Sequence, residues 1–369
     1  MEWEGDLLPF HRKKMNMKRL EKIRDFIREK GVDAFFVQSI KNLSYFSGFT
    51  GSNGYLLITS TKAVLVTDQR YSEQARQEAP GWEVIVHGLD PFSTLAEAIG
   101  QLGAATIGYE SKEITDFQIT ALREGNRSVE WVPFVDVCIG LRSVKEESEI
   151  ACIQASLKIA EDALEKLLPS IRPGVSEREI AIELEILMRR LGSEAPAFDT
   201  IVASGTHSAL PHAKPSDRKI EENDVIVIDF GATWKGYRSD ITRTIIVGEL
   251  ESPLQKIFDC VHQALEEAVA GIKPGSTCHE VDKLARDVFL AADLESYSLR
   301  GLGHGVGLDI HEYPRVVMNN QARIEPGMLF TVEPGVYVPN VGGVRIEDMV
   351  VATADGCRVL TRSPRIIRL

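Results

Sequence analysis

A chain of 369 residues exceeds what one hydrophobic core normally serves, so two domains are expected. Hydrophobic and charged contents of 44% and 26% describe a soluble globular protein, and a net charge of -12 excludes the basic face that nucleic acid requires. No apolar run approaches the ~20 residues needed to cross a bilayer, and the acidic start Met1–Asp6 lacks a signal-peptide core, so a cytoplasmic protein without a membrane partner is expected.

Residues 1–135 alternate helical and strand patterns and predict a mixed α/β domain. Leu20, Ile23, Phe26 and Ile27 fall at helical spacing, and the strand-like run Ala34–Val37 follows. Further strand patterns cover Tyr55–Ile58, Ala63–Val66 and Trp82–Val86, with helices over Ser72–Glu78 and Phe92–Leu102. Phe49-Thr50-Gly51-Ser52-Asn53-Gly54 reads as a loop by its glycines. It lacks the Walker lysine and is not a phosphate loop. The second domain, 136–369, opens on an amphipathic helix pattern over Lys145–Leu168 and then alternates helices with hairpins. Cys138, Cys152, Cys260, Cys278 and Cys357 are odd in number and never spaced C-x-x-C, which predicts reduced thiols. His11, His87, His262 and His279 read as surface residues.

One internal repeat stands out. Ile171-Arg172-Pro173-Gly174 and Ile272-Lys273-Pro274-Gly275 each lead into a capping box, Ser176 with Glu179 and Thr277 with Glu280. Each copy is followed by a hairpin that carries two acids. Asp229 and Asp240 flank the turn Trp234-Lys235-Gly236, and antiparallel pairing predicts that they lie side by side. Glu333 and Glu347 flank Pro339–Gly343 in the same way. His304 lies among glycines in Gly301-Leu302-Gly303-His304-Gly305-Val306-Gly307, which permit close backbone approach. All four acids adjoin apolar β-like runs, and a buried carboxylate must be paired or bound to metal. Arginine or backbone donors could satisfy any one of them. Together, Asp229, Asp240, His304, Glu333 and Glu347 match the ligand set of a two-metal hydrolase, with two divalent cations balancing four carboxylates.

Val227-Ile228-Asp229-Phe230-Gly231, Ser239-Asp240-Ile241-Thr242-Arg243-Thr244, Gly303-His304-Gly305-Val306-Gly307, Thr331-Val332-Glu333-Pro334-Gly335 and Val344-Arg345-Ile346-Glu347-Asp348 resemble the pita-bread metallopeptidases, the family of methionine aminopeptidase, aminopeptidase P and prolidase. Ser208-Ala209-Leu210-Pro211-His212-Ala213 and Asp309-Ile310-His311-Glu312 resemble the Xaa-Pro-cleaving members. So does the large N-terminal domain, with Phe49-Thr50-Gly51-Ser52 and Thr67-Asp68-Gln69-Arg70-Tyr71. The pattern differs at Thr206-His207, where many relatives carry a small residue or Asn.

The resemblance implies a pita-bread catalytic domain of pseudo-two-fold symmetry behind the α/β domain. In it Asp229 chelates one metal, Asp240 and Glu347 bridge both, and His304 with Glu333 completes the second site. A water between the ions attacks the scissile carbonyl, and Glu333 passes the proton to the leaving nitrogen. His212 faces the substrate carbonyl, against the commoner case of a solvated loop histidine. His311 binds a substrate oxygen and steadies the tetrahedral intermediate. Arg345 either binds a substrate carboxylate or, the preferred reading, orients Asp240. Asp68, Arg70 and Tyr71 either reach the site across an interface or support a turn. Oxygen-rich ligands without thiolate favour manganese, with cobalt, iron or zinc as substitutes. The expected protein is a homodimeric Xaa-Pro aminopeptidase acting on peptides with proline second. Prolidase is the alternative, and a metal-free binding module or a creatinase-like amidinohydrolase is disfavoured because those relatives have lost ligands.

Overall fold

The computed structural model describes residues 9–250 and 252–369, with side chains from residue 17 onward. The Met1–Asp6 segment and the His11 side chain lie outside the described residues. The chain divides into two compact units between Leu141 and Arg142.

The first unit runs α1 (Pro9–Lys30), β1 (Ala34–Val37), α2 (Ile40–Ser47), β2 (Tyr55–Thr59), β3 (Ala63–Asp68), α3 (Ser72–Glu78), β4 (Glu83–His87), α4 (Pro91–Leu102), β5 (Thr106–Glu110), α5 (Asp116–Gly125), β6 (Glu130–Phe134) and α6 (Val137–Leu141). Among the described residues its strands form one mixed sheet in the order β4-β3-β2-β1-β5-β6. The helix boundaries follow local chemistry. Asp90 caps α4 by accepting from Phe92 N and Ser93 N ahead of Pro91, and Gly103 ends it in the left-handed region. Asp68 caps the turn Gln69–Tyr71 and pairs with Arg70 at 2.8 Å, while Asn53 donates to it at 2.7 Å. Ser52 Oγ lies 2.7 Å from Tyr71 Oη. The Thr-Gly-Ser and Asp-x-Arg-Tyr stretches therefore hold one another. His87 is a correction: it is buried, with Nδ1 2.7 Å from Gly88 O, because β4 continues one residue past Val86 beside Asp68.

Glu110 is a buried acid on β5, taking hydrogen bonds from Asn42 Nδ2 and, at 3.4 Å, from Gln38 N. Burial pushes its carboxyl up from 4.5 to about 7. The folded state thus holds a proton that the unfolded chain releases above 4.5. This contribution to stability is present below that pH and is lost as pH rises through 7. Glu110→Gln cannot ionise, so it should exceed the wild type by up to about 3 kcal/mol at pH 8.5 and match it near pH 5. Urea titrations at both values check this. An identical pH dependence of the two proteins contradicts it.

The second unit carries two helix pairs, two larger sheets and, among the described residues, two two-stranded ribbons. In its first half, α7 (Glu147–Leu167) packs on α8 (Glu177–Arg190), followed by β7 (Ile201–Ser204), β8 (Val225–Phe230), β9 (Thr233–Trp234), β10 (Tyr237–Arg238) and β11 (Ile241–Ile246). In the second, α9 (Ser252–Gly271) packs on α10 (Cys278–Ala291), followed by β12 (Gly303–Gly305), β13 (Glu312–Val316), β14 (Leu329–Val332), β15 (Gly335–Val338), β16 (Gly342–Arg345), β17 (Asp348–Ala352) and β18 (Cys357–Val359). The short β19 (Ile367–Arg368) returns to the first sheet beside β11. The sheet orders are β19-β11-β8-β7 and β13-β12-β14-β17-β18, and the ribbons are β9-β10 and β15-β16. Among the described residues two apolar cores form, one built mainly from each half, with Val306, Leu329, Met349 and Val351 of the second half joining the first core.

The repeat seen in the sequence is structural. Ser176 and Thr277 both cap by accepting from the backbone three residues on, with Glu179 and Glu280 returning the bond, and both helices have 14 residues. The preceding Gly174 and Gly275 both have positive φ, 91° and 82°, which those turns require. This is the pseudo-two-fold α+β architecture of the pita-bread fold. Buried Arg243 on β11 ties the halves together, donating to Glu347 O at 2.5 Å and pairing with Asp348 at 3.1 Å. None of the five cysteines is in a disulfide. Among the described residues, no helix is long and apolar enough to cross a membrane.

Candidate metal centre

The two acid hairpins meet where β11 runs beside the chain at 345–348. Glu347 N donates to Thr242 O at 3.1 Å, and Thr242 Oγ1 donates to Glu347 Oε2 at 2.8 Å. Thr244 Oγ1 donates to Arg345 O at 2.8 Å. These contacts bring Asp229, Asp240 and Glu347 together, with one carboxylate oxygen of each within 4.8 Å of the others. His304 joins through Nε2, 3.5 Å from Asp240 Oδ2 and 3.2 Å from Glu333 Oε1. All five residues named from the sequence converge on one place.

The register of the first hairpin differs from expectation. Asp229 pairs with Thr242, not Asp240. The turn is the two-residue Lys235-Gly236, with φ of 50° and 77°, so its centre falls later than a three-residue turn allows. Asp240 lies two residues further along and still shares the face of Asp229, because side chains alternate. The second hairpin is symmetric: Val332 pairs with Asp348 and Gly335 with Arg345, placing Glu333 and Glu347 level between two ladders.

The electrostatics call for cations. Asp229 Oδ1 and Glu347 Oε1 are buried without a hydrogen-bond partner among the described residues, a costly state for any polar oxygen. Burial, then the negative charge of Glu347 and Asp229, pushes the Asp240 carboxyl well above the usual range. Burial, then Glu333 and Asp229, does the same to Glu347. Asp229 is also raised by burial, against the opposing pull of Arg345. Burial would raise Glu333 too, but its hydrogen bond and charge interaction with His304 outweigh that and leave it lowered. His304 Nδ1 lies 3.1 Å from Gly305 O, which can only accept, so Nδ1 donates there and Nε2 faces the acids. Four carboxylates and an imidazole, with orphaned oxygens aimed inward, fit hard or borderline divalent ions.

Arg345 is a further correction. It does not orient Asp240. Its guanidinium pairs with Asp229 and takes in Tyr337 Oη, Thr242 Oγ1 at 3.1 Å and Pro211 O at 3.2 Å. The strands explain why: Arg345 lies beside Thr244 and its Nε reaches back to Thr242, the partner of Asp229 across β8 and β11.

His311 is exposed at one edge, with its ring centroid 4.4 Å from that of His304. Burial of the remainder, then the charges of His304 and Arg315, pushes its imidazole down to about 4. His212 is exposed in the turn after Gly205–Ala209, within electrostatic reach of His311. Arg315 escaped the sequence reading. It is exposed and stands opposite His304 in the β12–β13 ladder, and only the alternation of His311, Tyr313 and Arg315 along one strand face could have signalled it. Glu312, also missed, is buried between Arg142 at 2.8 Å and Lys145 at 2.7 Å, which fixes the strand next to His311. A Cβ at Gly303 would collide with the carbonyl of Thr331, one at Gly305 with that of Tyr313, and one at Gly307 with the Glu312 carboxylate. These glycines form a closed wall behind His304.

Residues 151–354 match the model of metallopeptidase family M24, and residues 19–144 match the creatinase/prolidase N-terminal domain. The chain is 38% identical to a Xaa-Pro dipeptidase of Pyrococcus furiosus over 348 residues, covering 94% of this chain and 98% of that protein. Among solved structures it is similar to a Xaa-Pro dipeptidase from Bacillus anthracis, with TM-score 0.94 and 40% identity over 96% of this chain and 100% of that one. It is also similar to an X-Pro aminopeptidase from Thermotoga maritima, with TM-score 0.89 and 37% identity over 95% and 100%. With its catalytic half and its N-terminal domain both matched, the chain belongs to metallopeptidase family M24 and is a metal-dependent peptidase.

Proposed function

We propose that this chain hydrolyses the peptide bond before proline, preferring Xaa-Pro dipeptides, with two divalent ions held by Asp229, Asp240, His304, Glu333 and Glu347. The observation that carries the reading is the pair of orphaned oxygens, Asp229 Oδ1 and Glu347 Oε1, inside a buried cluster of acids. Manganese suits this oxygen-rich, thiolate-free set, and cobalt, iron or zinc can replace it. When bound, the ions supply Lewis acidity and a water acidified toward neutral pH. Glu333, with a side chain 21% exposed against 8% for Asp240, opens toward the substrate side and moves the proton to the prolyl nitrogen. His311 and His212 face the substrate, His311 donating to the oxygen that gains charge. Arg345 opposes the effect of burial on Asp229 and holds the carboxylate in place.

Proline lacks an N–H and has its φ fixed by the ring, so a pocket shaped for it rejects residues that need a donor partner. The dipeptide preference rests on Arg315, an exposed cation opposite His304 that can take the free carboxylate of a dipeptide. The first-unit stretches that resemble Xaa-Pro-cleaving relatives, Thr50-Gly51-Ser52 and Asp68-Gln69-Arg70-Tyr71, are engaged with one another. The similar dipeptidases of Pyrococcus and Bacillus support this choice. The second reading, an Xaa-Pro aminopeptidase, is supported by the similarity to the Thermotoga protein. We also assign residues 1–135 no chemistry and the active protein a homodimeric state. Among the described residues, the cluster of metal-ligating groups lies wholly in the second unit.

The deciding experiment compares Ala-Pro with Ala-Pro-Ala. Ala-Pro should be the better substrate, and Arg315→Ala should raise its KM about 10- to 100-fold, the worth of a charged hydrogen bond. Faster release of alanine from Ala-Pro-Ala makes the protein an aminopeptidase. Efficient cleavage of Met-Ala peptides overturns the proline assignment.

A further inference from the structure

His207, where the sequence pattern differs from the resembled family, has a specific partner. Glu177, in the first turn of α8, has a fully buried side chain. Its Oε1 accepts from Ser204 N at 2.7 Å and Ser204 Oγ at 2.8 Å. Its Oε2 accepts from Ser216 N at 3.0 Å and Ser216 Oγ at 2.6 Å. His207 Nδ1 lies 3.0 and 2.9 Å from the two oxygens. One carboxylate thus takes up its full acceptor capacity within a single segment, 204–216.

That segment carries His212. His212 is exposed and makes no hydrogen bond of its own among the described residues, so its place is set by the backbone that bears it. Between the two ends, Gly343 N donates to Ser208 Oγ at 2.8 Å, and Arg345 donates to Pro211 O at 3.2 Å. Arg345 also holds Asp229. The loop is therefore pinned at both ends by Glu177 and in the middle by the strand that supports the acid cluster.

We infer that Glu177 is a positioning residue that fixes the His212 loop against the active site, with His207 as a third anchor point. The inference rests on the reading of His212 as a substrate-facing group. A carboxylate can accept from both ends of the loop. An amide cannot, because its NH2 would meet the N–H and O–H of one serine. Releasing one end restores backbone freedom to the loop and displaces His212.

The test is a double-mutant cycle on Ala-Pro hydrolysis by the manganese-loaded protein, with amide hydrogen exchange measured over 204–216. Glu177→Gln should lower kcat about 10- to 100-fold at unchanged metal content and speed exchange across the segment. Adding it to His212→Ala should cost nothing further, because Glu177 acts through His212. Losses that multiply, or exchange that does not change, overturn the inference. If His212→Ala alone is fully active, the substrate-facing reading of His212 fails. Exchange alone then decides the anchor: faster upholds it, unchanged overturns it. Should Glu177→Gln not fold, Ser204→Ala/Ser216→Ala removes two of the donors, and the same pattern is expected with a smaller loss, about 3- to 10-fold.

Discussion

Stripping divalent ions with a chelator should abolish peptidase activity, and added manganese should restore it. The expectation follows from the acid cluster. Burial, and after it the negative charge of neighbouring carboxylates, holds Asp240 and Glu347 well above ordinary carboxylate values. A cation entering the site reverses both causes. Binding must therefore expel protons, and metal affinity must climb with pH as those protons become easier to remove. Titration calorimetry of manganese into the stripped protein, in two buffers of different ionisation enthalpy, measures the release directly. Full activity in a rigorously metal-free sample, or manganese uptake with no proton release, contradicts the assignment.

Arg345→Met should be the most damaging single change outside the proposed ligands. The guanidinium is buried and bonds to Asp229, Tyr337, Thr242 and Pro211. Methionine fills much of the volume but leaves Asp229 without its counter-charge. Breaking a buried pair in this way costs about 3–5 kcal/mol, roughly 6–20 °C in Tm for a domain of this size. Activity should fall about 10- to 100-fold as the Asp229 carboxylate loses its orientation. Manganese should return part of the lost stability, because a cation can substitute for the missing positive charge beside Asp229. Thermal melts with and without manganese check both statements. A variant that melts like the wild type rules out the role given to Arg345.

What could be read in the sequence was whatever leaves a local signature. The capping boxes at Ser176 and Thr277 are four-residue patterns, and both recur as drawn. Acids that adjoin runs such as Val225–Ile228 announce themselves because a carboxylate there is chemically out of place. The level placement of Glu333 and Glu347 followed from counting. The same count failed for Asp229 and Asp240, because a two-residue turn at Lys235-Gly236 moves the hairpin centre and only backbone φ shows it. Partners far apart in the chain were invisible. Nothing local says that Arg345 reaches Asp229, that Arg142 and Lys145 enclose Glu312, or that Glu177 gathers Ser204 and Ser216. The helix Ile40–Ser47 escaped the reading as well: eight residues show little more than two turns of periodicity.

The glycine wall behind His304 sets where this enzyme can change. Side chains at 303, 305 and 307 would strike the carbonyls of Thr331 and Tyr313 and the Glu312 carboxylate, so those positions admit almost no variation. Exposed Leu210, His212, His311, Tyr313 and Arg315 meet no such barrier. A library aimed at new leaving groups should therefore diversify this rim and keep the wall constant. Descendants of one ancestral chain would diverge in selectivity along the same line, with identical floors and dissimilar mouths.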